Sequence, residues 1–213
     1  MFRCCLLVLA LLAPGCVFAE TLLVVGDSIS AGYGLDTLEQ GWVSLLQQQL
    51  RPRGITVVNA SLSGDTTTGG RMRLDALLQR TQPAWVVLEL GGNDGLRGLT
   101  PQQMQDNLQA MIARSHAVKA EVLLLGMRMP PNYGKRYADM FQQVYVDVAR
   151  QTGVALVPFL LDGVGGQPGL MQADGIHPTA EAQPVMLQQV MAVLGPLLDA
   201  RSPPHTARRA QRH

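Results

Sequence analysis

The sequence predicts an α/β fold of three layers, in which a parallel sheet of about five strands carries helices on both faces. Two observations support this prediction: five short apolar runs show almost no polar alternation, and segments of helical period lie between them. Apolar runs of this kind are typical of strands that are buried on both faces. Repeated strand–helix alternation indicates parallel strands, and right-handed crossovers then distribute the helices over the two faces.

The predicted strands are rich in valine and leucine and lie at residues 22–25, 56–59, 85–90, 122–125 and 155–158. Apolar residues at helical spacing predict helices at residues 101–118, 138–151 and 180–198. The methionines on these helical stripes are interpreted as core packing, because a flexible thioether fills irregular gaps. We expect one globular domain over residues 20–199, with no internal repeat or long linker.

The first 19 residues have the pattern of a secretory signal peptide. One basic residue precedes an apolar run at residues 4–12, and compact residues lead to an expected cleavage after Ala19. The run is too short for a membrane anchor, which needs about 20 apolar residues. Lipoprotein processing at Cys16 is the alternative, and Pro14 inside the recognition stretch argues against it. The sequence therefore predicts a periplasmic or secreted protein.

All three cysteines lie within this signal segment, so the mature chain is expected to contain none. That expectation excludes disulfide bonds, thiolate zinc sites and a cysteine nucleophile. Between residues 20 and 200 there are 12 basic and 16 acidic residues, a net charge that argues against a nucleic-acid surface. The basic tail at residues 200–213 is predicted to be a disordered, solvated end.

Polar motifs follow four of the predicted strands. Ligands of a parallel sheet bind beyond the carboxyl ends of the strands, so these loops are the expected place for chemistry. Each motif alone is a weak signal, since Gly-Asp-Ser after a strand usually forms only a turn. The motifs are Gly-Asp-Ser-Ile-Ser at 26–30, Ala-Ser-Leu-Ser-Gly-Asp at 60–65, Gly-Gly-Asn-Asp at 91–94 and Asp-Gly-Ile-His-Pro at 174–178.

Taken together, the four loops supply the parts of a serine hydrolase. Ser28 offers a hydroxyl nucleophile where a strand turns into a helix, and His177 offers an imidazole base. Asp174, three residues before the histidine, is close enough to orient its ring. Gly64 can present a backbone N–H, and Asn93 can present its side-chain amide, to an oxyanion.

Other titratable residues are weaker candidates for catalysis. His116 falls near the end of a predicted helix, where a surface or capping role is expected, and the two remaining histidines lie in the tail. Asp27 and Asp94 are expected to bond nearby backbone groups, as aspartates beside such turns usually do.

The motif at 26–30 resembles the GDSL signature, with isoleucine in place of the usual leucine. Together with Gly64, Asn93 and His177, Ser28 matches the four residues that name the SGNH hydrolases. Glu-Leu-Gly-Gly-Asn-Asp-Gly-Leu-Arg-Gly at 89–98, Asn-Tyr-Gly-Lys-Arg-Tyr at 132–137 and Met-Gln-Ala-Asp-Gly-Ile-His-Pro at 171–178 resemble one bacterial group in particular. That group comprises multifunctional acyl-CoA thioesterases, lysophospholipases, arylesterases and proteases, and the likeness extends over residues 21–198.

The resemblance implies the flavodoxin-like SGNH hydrolase fold, a triad of Ser28, Asp174 and His177, and an exported esterase that needs no metal or cofactor. Its oxyanion hole would use the backbone N–H of Ser28, the N–H of Gly64 and the amide of Asn93. The loop at 92–97 would move when it closes on an acyl chain, with Leu96 as its apolar contact. The implied substrates are acyl esters, thioesters and lysophospholipids. Nothing in the sequence requires more than a monomer, and a monomer is expected. Thr179 replaces an asparagine common in relatives, and threonine is expected to cap the last helix equally well.

Several other functions compete with the serine hydrolase hypothesis. A metallophosphoesterase needs more histidine ligands than His116 and His177. A nucleotide or flavin site is weak, because Thr37 occupies the third glycine position of G-x-G-x-x-G. A non-catalytic lipid-binding module would not need every catalytic part. Within the enzyme class, a carbohydrate O-acetyl esterase of the cell envelope would use the same triad, and the length of the acyl pocket distinguishes the two.

Overall fold

Five parallel strands form the central sheet of the protein. The structure is a computed structural model that describes residues 20–201. The strands are β1 (Glu20–Gly26), β2 (Ile55–Asn59), β3 (Trp85–Glu89), β4 (Glu121–Leu125) and β5 (Ala155–Val157). They are hydrogen-bonded in the order β2-β1-β3-β4-β5, and every pair is parallel. The predicted α/β fold is therefore confirmed, with strand bounds within two residues of those expected.

Helices connect the strands and cover the sheet. Within residues 20–201 they are α1 (Ser28–Ala31), α2 (Trp42–Leu50), α3 (Thr67–Thr81), α4 (Gly92–Leu96), α5 (Pro101–Ala117), α6 (Lys135–Thr152) and α7 (Gln183–Arg201). The helix α3 packs against α5, and α5 packs against α6, whereas α2 packs against α7. Right-handed crossovers place these two groups on opposite faces of the sheet. The three layers that the sequence predicts are thus α2 and α7, the sheet, and α3, α5 and α6.

The last predicted helix differs from the observed one at both ends. A short 3-10 turn occupies Ala180–Ala182, and the α-helix begins only at Gln183 and continues to Arg201. The expected capping role of Thr179 is wrong, because its side chain caps neither segment and its hydroxyl instead donates to the carbonyl of Gly169 at 2.9 Å. Arg201 stacks over the ring of Trp85 at 5.6 Å, so it packs against the folded domain.

The core lies on both sides of the three inner strands β1, β3 and β4. Every residue of β3 is buried, as expected for a strand with helices on both faces. The largest fully buried side chains are Trp42, Trp85, Tyr145 and Phe141. Burial of aromatic side chains of this size contributes strongly to stability. Within residues 20–201, no helix is both long enough and apolar enough to cross a bilayer.

The strand order places a crevice at the carboxyl ends of β1 and β3. The connection after β1 leads to the edge strand β2, whereas the chain then crosses back past β1 to β3. Such a reversal of direction opens a crevice where doubly wound α/β proteins bind ligands. Gly26, the last residue of β1, pairs in register with Glu89, the last residue of β3. The residues that follow these two strands therefore meet at one point.

Candidate active site

Ser28 begins the one-turn helix α1 at the end of β1. Asp27 caps this helix, because its Oδ1 accepts a hydrogen bond from the backbone N–H of Ile29 at 3.0 Å. Gly32 ends the helix in the left-handed conformation, with φ of 76°. The first N–H groups of a helix have no acceptor within the helix, so the N–H of Ser28 is available to a ligand in the cleft. The serine hydroxyl and this N–H are presented from the same turn.

Three of the predicted residues form a hydrogen-bonded chain. The Nε2 of His177 lies 2.9 Å from the Oγ of Ser28, and its Nδ1 lies 2.7 Å from the Oδ2 of Asp174. The carboxylate favours a proton on Nδ1, which leaves Nε2 as the acceptor of the serine proton. The order of contacts is that of a Ser-His-Asp triad.

Asp174 is held by its own loop. Its Oδ1 accepts from the backbone N–H groups of Ile176 and His177, at 2.9 Å and 3.0 Å. Desolvation acts to raise the pKa of Asp174, but the hydrogen bonds from His177 and from these backbone groups outweigh it and lower the pKa to about 2. The carboxylate therefore stays ionised across the range in which an imidazole acts as a base.

Two residues that sequence reasoning missed support the histidine. The ring of Tyr33 lies 4.5 Å from the imidazole of His177, measured between centroids. The side-chain amide of Gln172 donates to the carbonyls of Tyr33 and Pro178, at 2.8 Å and 3.0 Å. Gln172 thus joins the loop after α1 to the histidine loop. No local pattern marks either residue, because Tyr33 lies 139 residues from Gln172 and far from His177 in the sequence.

The two predicted oxyanion donors line the same cleft as Ser28. Asn93 lies in α4, and one N–H of its amide donates to the Oδ2 of Asp27 at 3.0 Å. An amide NH₂ carries two donors, so the other one is available to an oxyanion. Gly64 adopts a positive φ of 78°, a conformation that glycine adopts without strain.

Arg97 joins the loop after α4 to the loop that carries Gly64. Its Nη2 donates to the carbonyl of Gly64 at 2.8 Å. This hydrogen bond fixes the orientation of the peptide group between Gly64 and Asp65, which adjoins the N–H of Gly64. In the sequence, Arg97 stands out only as the last residue of the predicted mobile loop at 92–97, because no local pattern indicates which carbonyl its side chain reaches.

The cleft above Ser28 has a volume of about 590 Å³ and two unlike walls. The polar wall contains Ser28, Gly64, Asn93 and His177, which the sequence predicts to be functional. The other wall is apolar and includes the predicted contact Leu96, together with Met127, Met129, Pro130, Phe159, Leu161, Met171 and Ile176. Arg128, at the rim, lies over the ring of Phe159 at 4.6 Å.

The remaining candidates have structural contacts. The Oδ2 of Asp94 accepts from the backbone N–H of Thr67 at 2.8 Å, and its Oδ1 accepts from the hydroxyl of the same residue. Burial raises the pKa of Asp94 above its ordinary value. His116 is exposed near the end of α5, away from the cleft. Within residues 20–201 no group of three or more metal-binding side chains could hold an ion.

Comparisons with known proteins identify the family of the chain. Residues 24–184 match the GDSL-like Lipase/Acylhydrolase family. The chain is 57% identical over 200 residues to esterase TesA of Pseudomonas aeruginosa, which covers 89% of this chain and 99% of the relative. It is 44% identical over 193 residues to thioesterase 1/protease 1/lysophospholipase L1 of Escherichia coli, which covers 91% of this chain and 92% of that protein. A crystal structure of TesA superposes with a TM-score of 0.81 at 59% identity, over 84% of this chain and 99% of the other. The chain therefore belongs to the GDSL-like lipase/acylhydrolase family.

Proposed function

We propose that this protein is an exported serine esterase that hydrolyses acyl esters and thioesters through an acyl-enzyme on Ser28. The observation that carries the proposal is the hydrogen-bonded chain from Ser28 through His177 to Asp174, which opens on a cleft with an apolar wall. A nucleophile, its base and an orienting carboxylate are the minimum set for acyl transfer by a serine.

In the first half-reaction, the Oγ of Ser28 attacks the acyl carbonyl carbon while its proton passes to the Nε2 of His177. The electron pair of the carbonyl double bond moves to the oxygen, which becomes an oxyanion. Asp174 stabilises the resulting imidazolium through its contact with Nδ1. The oxyanion accepts hydrogen bonds from the N–H groups of Ser28 and Gly64 and from the free amide N–H of Asn93.

Collapse of this intermediate breaks the bond between the acyl carbon and the leaving oxygen or sulfur. The leaving group takes the proton from His177, and the acyl group stays on Ser28. A water molecule then transfers a proton to His177 and attacks the acyl carbon, and a second oxyanion collapses to release the carboxylic acid. The proton returns from His177 to Ser28, so the enzyme is regenerated.

The apolar wall supports an acyl chain longer than acetyl. Methionine, leucine and phenylalanine side chains line it, and burial of each methylene group contributes about 0.8 kcal/mol to binding. A carbohydrate O-acetyl esterase, the alternative within the enzyme class, would gain nothing from this surface. The names of the similar proteins, esterase and thioesterase 1/lysophospholipase L1, favour esters, thioesters and lysophospholipids as substrates.

Export is part of the proposal and depends on residues 1–19, which lie outside the described residues, as do the alternative lipidation site Cys16 and the tail beyond Arg201. We propose cleavage after Ala19 and a mature domain over residues 20–199 that acts as a monomer in the periplasm or outside the cell. An exported enzyme meets lysophospholipids and other envelope esters more readily than acyl-CoA.

A series of p-nitrophenyl esters from acetate to palmitate tests the proposal with three proteins. We expect the wild type to show kcat/KM that rises from acetate to medium chains. Ser28→Ala should lose several orders of magnitude in kcat with all esters. The matched control is Ser61→Ala, since the hydroxyl of Ser61 is buried in the neighbouring loop and has no hydrogen-bond partner within residues 20–201. Near-normal turnover by folded Ser28→Ala would refute the mechanism, and a clear preference for acetate would favour the O-acetyl esterase.

A further inference from the structure

A second carboxyl group, which the proposed mechanism does not use, is buried beneath the nucleophile. Glu89 ends the central strand β3 and is fully inaccessible to solvent. Its Oε2 accepts from the backbone N–H of Asp27 at 3.2 Å and from the hydroxyl of Ser30 at 2.7 Å. Gly26 makes room for it, because a Cβ at that position would lie 2.7 Å from the same oxygen. The carboxyl group therefore has a specific, fitted place.

The buried carboxyl groups of Glu89 and Asp27 are neighbours, because the Oε2 of Glu89 accepts from the backbone N–H of Asp27 and each side chain affects the pKa of the other. Two neighbouring carboxyl groups can share a hydrogen bond only when one of them carries a proton. The Oε1 of Glu89 is buried and accepts no hydrogen bond from the described residues. A proton on this oxygen would give it a partner, since it could then donate to a neighbouring carboxylate. Both oxygens of Asp27 already accept hydrogen bonds, from Ile29 and from Asn93. The proton is therefore best placed on Glu89.

Charge balance leads to the same assignment. Within residues 20–201, neither Glu89 nor Asp27 forms an ion pair, because the nearby Arg73 and His177 pair with Asp65 and Asp174, and ionisation of two adjacent buried carboxyl groups is strongly disfavoured. Burial, followed by the neighbouring charge of Asp27, raises the pKa of Glu89 well above its ordinary value. Burial also raises the pKa of Asp27, to about 6, and we place the proton of the pair on the more deeply buried Glu89.

We propose that Glu89 is a protonated positioning residue, which donates a hydrogen bond to the Asp27 carboxylate and so fixes the acceptor that orients the Asn93 amide. The chain of contacts runs from Glu89 through Asp27 to Asn93 and ends at the oxyanion. Glu89 touches no substrate, and its effect passes through Asn93. This inference rests on the proposed esterase function for its kinetic test but not for its stability test.

The kinetic test is a double-mutant cycle on a p-nitrophenyl ester. Glu89→Leu removes the donor, and we expect kcat to fall by about 10–100-fold with KM little changed, as for other supporting residues. In an Asn93→Ala background the same substitution should cost much less, because the group through which it acts is absent. Glu89→Gln keeps a donor toward Asp27 and should recover most of the lost activity. Equal losses in both backgrounds would overturn the positioning role.

The stability test compares Glu89→Gln with the wild type as pH is raised from about 5 to about 9. A carboxyl group with a raised pKa in the folded state stabilises the protein while protonated, and this stability is lost as pH rises from its ordinary value toward the folded one. Glutamine does not titrate, so the Tm of the variant minus that of the wild type should grow with pH. A difference that stays constant or shrinks would mean that Glu89 is not protonated.

Other titratable or charged groups face the pair and are unchanged in the glutamine variant. They are His177 from the loop before α7, Tyr145 from α6, Asp94 from α4 and Arg73 from α3, whose Nη2 reaches the carbonyl of Gly26. Ser115→Ala is the matched control for loss of a buried hydrogen bond, since Ser115 is fully buried near the end of α5 and its hydroxyl donates to the carbonyl of Met111. It should leave both kcat and the pH dependence of Tm unchanged. Should the wild type hydrolyse no ester, the pH comparison still decides the protonation of Glu89.

Discussion

The cleft is bordered by carboxyl groups in two opposite environments. Asp174 lies on a surface loop with 39% of its side chain exposed, and hydrogen bonds lower its pKa to about 2. Glu89 and Asp27 lie at the end of the sheet with almost no exposure, and burial raises the pKa of each. The same functional group is thus kept ionised on one side to orient His177 and kept partly protonated on the other side to orient Asn93. Burial and the number of donors, rather than residue type, decide which role a carboxyl group can serve.

The largest effect is expected on the exposed side. Asp174→Asn should lower kcat by about 10⁴, because an amide neither holds the tautomer of His177 nor stabilises the imidazolium. The Tm should change little, since the group is partly exposed. Asp139→Asn, which breaks only the surface ion pair with Lys135, is the matched control and should leave kcat unchanged. A loss in kcat below tenfold would show that Asp174 is not the orienting acid.

The next largest effect is expected at Asn93, the side-chain donor of the proposed oxyanion hole. Asn93→Ala should lower kcat by about 10²–10³, the usual cost of one oxyanion donor, with a smaller effect on KM. It should also lower Tm slightly, because the Oδ2 of buried Asp27 loses its donor. Steady-state kinetics and thermal unfolding measured on the same preparation separate the two effects. An unchanged kcat would remove Asn93 from the oxyanion hole.

A smaller effect is expected at Asp27. Asp27→Asn keeps the size of the side chain but leaves only one acceptor for Ile29, Asn93 and Glu89, so we expect a 10- to 100-fold loss in kcat. Unlike Asp174→Asn, this change should also reduce the free energy of unfolding, because it disturbs a buried network. Steady-state kinetics measures the change in kcat, and urea denaturation measures the change in the free energy of unfolding. An effect on kcat as large as that of Asp174→Asn would contradict the distinction between the exposed carboxylate that orients His177 and the buried carboxyl groups that position Asn93.

Two glycine substitutions should give the smallest effects and compare the same two regions. Gly26→Ala places a Cβ 2.7 Å from the Oε2 of Glu89, and such overpacking should cost about 1–3 kcal/mol of unfolding free energy. Gly175→Ala meets no atom within 4 Å but has φ of 67°, so only backbone strain of about 1 kcal/mol is expected. Urea unfolding midpoints should therefore fall further for Gly26→Ala. The reverse order would mean that the packing of Gly26 against Glu89 is looser than the 2.7 Å distance indicates.

Much of the fold and the composition of the site could be predicted from the sequence, because the relevant signals are local. A buried parallel strand shows itself as an apolar run, and the loop after each run can be searched for polar residues. Ser28, Asp174 and His177 can be predicted in this way, because each lies in a loop that follows such a run. Local reasoning failed at the start of the last helix, where the hydroxyl of Thr179 bonds Gly169, ten residues away, and not the helix.

The α/β class, the parallel sheet and the four loops at its carboxyl edge follow from local patterns in the sequence. The contacts that support those loops are set by the packing of distant segments. Glu89 stands in an apolar strand, and the pairing of β3 with β1 brings it to Asp27, 62 residues away. Tyr33 contacts His177 across a much longer separation in sequence, and Arg97 contacts Gly64, 33 residues away. Periodicity reports only which face of an element is buried, whereas contacts between distant segments depend on register and crossover, which are settled when the elements pack.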